Sequence, residues 1–159
     1  MNKEKIRFYL IELLRLAIIL FSIYILVMFL SSLPYLYNIS IFIDTIYMPD
    51  FLKFIGLMVS CIILFEFASR TRNMLNDVRL IPELGNLHSY IVYIIIIIVA
   101  YFSGLQIFQK SILEDWWWSY NLVFIGFSIF YAVKIFILIY RNSHKISENI
   151  FEFTKRITQ

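Results

Sequence analysis

Apolar residues in this chain fall into four long blocks, and the polar stretches between them are short and unevenly charged. A hydrocarbon core about 30 Å thick takes roughly 20 helical residues to cross. Residues 14–33, 51–69, 87–108 and 117–140 each meet that length. Pro34 stops the first block, and Pro49 opens the second with Asp50 placed to cap free helix amides. The third holds the unbroken isoleucine run 94–98. Segment 34–50 is too apolar for a free loop, so it is expected to rest at a membrane interface or fold back on the helices.

Two further stretches have helical spacing. Residues 71–81 place Met74, Leu75, Val78 and Ile81 on one face and then meet Pro82 and Gly85, which predicts a continuation of the second span that stops there. In the tail, residues 145–157, Ile146, Ile150, Phe153 and Ile157 form a stripe beside Lys145, Lys155 and Arg156. That is the pattern of a short amphipathic helix on an anionic membrane surface or against a neighbouring subunit. No internal repeat or low-complexity linker intervenes, so residues 1–159 read as one all-α integral membrane domain. Each of the last three spans has a single glycine, Gly56, Gly104 and Gly126, and no GxxxG occurs, which predicts packing by large side chains.

Composition strengthens the membrane reading. Hydrophobic residues make up 61% and charged ones 16% of the chain, against about 45–50% and 25% in soluble domains. The net charge of +3 is spread along the flanks of the spans, which argues against a nucleic-acid surface. Orientation follows from where the cations sit, since positive charge stays on the cytoplasmic side. Lys3, Lys5, Arg7 and Arg15 precede or enter the first span, Arg70, Arg72 and Arg79 follow the second, and Arg141, Lys145, Lys155 and Arg156 follow the fourth. Asp44, Asp50, Glu114 and Asp115 dominate the other side, so both termini are expected in the cytoplasm. The run Trp116-Trp117-Trp118 then falls at the outer interface, where indoles prefer to lie. The first span reads as a retained anchor in a bacterial inner membrane, or in an organellar inner membrane.

Candidate chemistry is sparse. The lone Cys61 builds no disulfide within the chain, His88 and His144 make no paired intramembrane ligands, and neither a phosphate loop nor a zinc motif occurs. We therefore expect no enzyme and no cofactor. What remains are charges at the membrane edge, namely Glu12, Arg15, Glu66 and Lys134, all in the cytoplasmic third by helical rise. Such groups are costly in lipid and face a partner, the bundle interior or water. Glu66 has two readings: an ion pair with Arg70 one turn on, or a place beside Lys134 in a vestibule between the second and fourth helices. Ser128, Tyr131 and Lys134, spaced by threes, would supply a polar ridge to that vestibule.

Ser69-Arg70-Thr71-Arg72 directly after the second span, followed by Arg79, Gly85 and Ile91-Val92-Tyr93, resembles the RexB-type phage-exclusion membrane proteins. The resemblance implies a four-helix inner-membrane ion channel that depolarises an infected cell in an abortive response, triggered by a cytoplasmic partner protein. It marks Arg70, Arg72 and Arg79 as a cytoplasmic basic motif. Two functional classes follow: an ion-conducting homo-oligomer, or a non-catalytic subunit of a larger membrane complex. Both have the lipid bilayer as a partner.

Overall fold

In the computed structural model of the chain, the described residues are 3–42, 46–77, 82–111 and 117–157, with side chains described at all of these except 3, 42, 106, 108–111, 149, 150 and 152–157. Four helices dominate: α1 (Lys3–Ser31), α2 (Met48–Asn76), α3 (Leu84–Ser111) and α4 (Trp117–Ile157). Between α1 and α2 come a 3-10 turn, Pro34–Asn38, and a small antiparallel hairpin of β1 (Ser40–Phe42) and β2 (Ile46–Tyr47), paired Ser40 to Tyr47 and Phe42 to Ile46.

Every helix outruns the apolar block that predicts it. α1 starts at Lys3 because the charged positions before residue 14 alternate with Ile6, Leu10 and Ile11 and do not break helical periodicity. α2 begins at Met48, so Asp50 lies inside the first turn instead of capping it. Tyr47, in extended backbone, holds the cap position with no side-chain bond. α2 ends at Asn76, and the Val78 and Ile81 of its expected continuation lie outside the described residues.

Gly85 is not a helix stop. It lies in the first turn of α3, and the chain reverses at Pro82 and Glu83, whose φ of 58° places a bulky residue in the left-handed region. The tail is likewise not a separate surface helix: α4 continues without interruption to Ile157, and 141–157 contains neither glycine nor proline to bend it.

The helices pack in chain order. α1 lies on α2, α2 on α3 and α3 on α4, while α1 and α4 share no comparable interface. The result is an open antiparallel layer and not a closed bundle. Its tightest seam is α2–α3, marked by Cys61 against the Ile96 carbonyl, Ala68 against Ser89, and Arg72 against Gly85. Ser89 donates to the carbonyls of Gly85 (2.9 Å) and Ala68 (3.3 Å), and Thr71 to that of Phe67 (2.8 Å). These small residues are fully or almost fully buried. Packing by large side chains, expected from the missing GxxxG, therefore does not hold here. Ala, Thr, Gly and Ser let the two backbones approach, as is usual between membrane helices.

Segment 34–50 folds back. Leu36, Ile46 and Pro49 are buried, the Met48 amide donates to the Ile39 carbonyl at 3.0 Å, and β2 packs against α2 and α3.

Candidate functional site

The end of the layer that carries the start of α1 and the α2–α3 turn holds the charged residues that remain to be placed. One open cleft of about 130 Å³ lies between α1 and α2 there, lined by Glu12, Arg15, Leu16 and Ile19 from α1 and by Ile63, Glu66, Phe67 and Arg70 from α2. Its charges pair within each helix. Glu66 accepts from Arg70 at 2.5 Å, four residues on, and Glu12 lies 3.8 Å from Arg15, three residues on. Both pairs follow from helical geometry, which stacks residues three and four apart, with glutamate on the favoured N-terminal side. The Glu66 side chain is 57% exposed, so it opens outward instead of into an interior.

Three sequence candidates, Glu12, Arg15 and Glu66, thus meet in one place together with Arg70. The others do not join them. Lys134 is exposed on α4 with its ammonium 5.4 Å from the Phe130 ring, and α3 stands between α4 and α2. The vestibule between the second and fourth helices is therefore not formed within one chain. Nor is the ridge: Ser128 donates to its own helix at the Phe124 carbonyl (2.8 Å), and Tyr131 packs among Tyr90, Tyr93 and Phe130. The basic motif also divides. Arg70 turns to the cleft, Arg72 donates to Asn86 at 2.7 Å, and Arg79 lies outside the described residues.

A second constellation escaped sequence reasoning. The Asn76 side-chain carbonyl accepts from the amides of Gly85 (2.9 Å) and Asn86 (3.3 Å), so the last residue of α2 caps the first turn of α3. Asn86 donates to Glu83 at 2.9 Å, Arg141 of α4 donates to the other oxygen of Glu83, and Lys5 of α1 reaches Asp77 at 2.6 Å. All four helices are tied here by polar groups. The Asn86 hydrogen bond, with Arg141 and Asn142 adding to it, holds the Glu83 carboxyl below the usual carboxylate range despite partial desolvation. The only sequence signal was a cluster of Asn and Glu around Pro82, which also suits an ordinary turn.

His88 has a partner as well. Its Nε2 lies 3.3 Å from the Tyr9 hydroxyl and its ring meets Tyr9 and Phe67 edge-on, while the buried Nδ1 has no hydrogen-bond partner. Among the described residues no group of three or more His, Cys, Asp or Glu is arranged to hold a metal.

Four helices long and apolar enough to cross a bilayer, by length and composition, with charged clusters at one end, define the class: a helical membrane protein. Compared with protein families, curated proteins and solved structures, the chain matches none.

Proposed function

We propose that the chain is a non-enzymatic, ion-conducting membrane effector that works as a homo-oligomer in an inner membrane, both termini in the cytoplasm, and depolarises the cell when a cytoplasmic partner triggers it. The observation that carries this reading is the α1–α2 cleft. It brings two carboxylates and two guanidiniums to one open, partly apolar groove, where a second chain can close it into a charged mouth. Acidic side chains at such a mouth concentrate cations. A single open layer encloses no aqueous path, so conduction in this reading requires several copies. The resemblance around Arg70 and Arg72 points the same way.

In planar bilayers the purified protein should pass current, and Glu66→Gln should reduce cation conductance or selectivity. Lys134→Gln should leave both unchanged, because Lys134 is remote from the cleft. Absence of current with and without cytoplasmic extract, from protein that remains assembled, would overturn the reading. The second reading, an accessory subunit of a larger complex, is favoured by the wide exposed faces of α1 and α4. It predicts an inert protein that co-purifies with other membrane chains.

A further inference from the structure

α4 has 41 residues, about 60 Å of helix, twice what a hydrocarbon core takes up. Arg141 and Asn142 sit beside Glu83 at the level of the α2–α3 turn, and 143–157 continues beyond it for about 22 Å. Among the described residues, α3 is the only element with a substantial interface on α4. Several of the extension's polar side chains bond within their own helix: Ser143 to the Tyr140 carbonyl, Ser147 to the Ser143 carbonyl, and His144 to Glu148. Charged and titratable residues recur at His144, Lys145, Glu148, Glu152, Lys155 and Arg156, so the extension belongs in water.

The sequence nevertheless carries an apolar seam along it. Ile146, Ile150, Phe153 and Ile157 are separated by four, three and four residues, the heptad alternation that keeps one stripe facing a partner helix. A helix continuous with a span lies flat on the surface only after a bend, and 141–157 holds no glycine or proline to make one.

We propose that the extension of α4 beyond Asn142 forms a parallel coiled coil with the same segment of a second copy of this chain. Three features select a second copy. Two copies in one membrane are inserted the same way up, so their extensions run parallel at high local concentration, which offsets the marginal stability of so short a coil. With Ile150 and Ile157 at the a positions and Ile146 and Phe153 at d, the e and g positions that face each other across a parallel pair are Asn142 with Ser147 and Asn149 with Thr154. Neither pairing sets like charges together; the charged residues at 144, 145, 148, 152 and 155 fall on the outer positions b, c and f, and Arg156 alone falls on a g position. Finally, Phe136 and Ile139, which continue the a and d positions of the same heptad back into the span, are exposed, so the line of the seam stays open to a neighbour there.

The inference deepens the oligomeric part of the proposed function, on which it rests, but not the conduction. Chains paired through α4 keep their α1–α2 clefts on the outer flanks, so both surfaces can serve at once. The test is oxidative cross-linking of the full chain in membranes, with single cysteines introduced into both a Cys61→Ser and a parental background. Ile150→Cys and Phe153→Cys should shift the chain from monomer to dimer, while Glu148→Cys and Glu152→Cys should leave it monomeric. Equal cross-linking at all four positions, or at none, overturns the coiled coil, and the second result is also what a seam for a different protein would give. Current in planar bilayers is read separately, so loss of one property without the other shows which proposal failed.

Discussion

The central helices, α2 and α3, and the flanking helices, α1 and α4, are all long and apolar, yet they are packed by different means. At the centre Ala68 and Thr71 are 0% exposed, the Thr71 hydroxyl donates to the Phe67 carbonyl of its own helix, and the Ala68 carbonyl accepts from Ser89 of the facing one. On the flanks large side chains stand open, Phe136 at 71%. In water this contrast would mark α1 and α4 as misfolded. In a bilayer lipid is as good a neighbour for Phe136 as protein is, so apolar surface alone does not decide which helices touch. Close approach and hydrogen bonding decide it, and those need small residues.

The sharpest way to break that comparison is to add the same methyl group at both places. A Cβ at Gly85 would overlap the Arg72 carbonyl, a backbone atom that cannot step aside, whereas one at Gly126 meets nothing. Gly85→Ala should therefore lower stability in mild detergent by about 1–3 kcal/mol, while Gly126→Ala should raise it by about 0.5–1 kcal/mol through helix propensity. Equal signs in thermal or denaturant unfolding would show that the centre is no tighter than the flank.

Next in size is the cap. Asn76→Ala removes an acceptor from two α3 amides, of which Asn86 keeps its bond to the Glu83 carbonyl, and should cost about 1 kcal/mol, with faster amide exchange at Gly85 as the local signature.

A smaller effect concerns acid. Glu83 is held below its ordinary pKa, first by Asn86 and then by Arg141. The group therefore contributes stability above the ordinary value of about 4.3 and loses it as pH falls through the lowered one. Melting temperature should drop below about pH 4, and Glu83→Gln should flatten that part of the profile. A drop of unchanged size in the variant would assign it to other carboxylates.

Least affected should be the tie from a flank. Lys5 and Asp77 are both well exposed, so Lys5→Gln should change stability by less than about 1 kcal/mol and vanish into the error at high salt.

The four helices were legible because a hydrocarbon core demands length and hydrophobicity, both visible in 14–33, 51–69, 87–108 and 117–140. Which faces meet was not, since those blocks are apolar on every side and periodicity has nothing to contrast. Gly85 illustrates the loss: beside Pro82 it reads as a stop, and only the position of the Arg72 carbonyl shows why a side chain is excluded there. The pairing of Glu66 with Arg70 was open to deduction, being four residues apart on one helix. That Glu12 and Arg15 share its cleft was not, because the offset between α1 and α2 is set by the intervening hairpin and by Gly56 against Val27. Lys134 misled for the same reason, since equal depth in the membrane says nothing about direction around the helix.

The cap made by Asn76 reaches across from one helix to the next, and this gives it a role beyond satisfying two amides. It exists only when α2 and α3 stand at one particular offset. Sliding α3 by a single residue would take the Gly85 amide off its Asn76 acceptor, leaving Asn86 only its bond to the Glu83 carbonyl, and would bring the Cβ of Leu84 or Asn86 against the Arg72 carbonyl in place of Gly85. Two apolar rods in lipid otherwise have little to stop them creeping past one another. Asn76 and Gly85 therefore act as a detent, allowing one seating of the central pair and penalising its neighbours on either side.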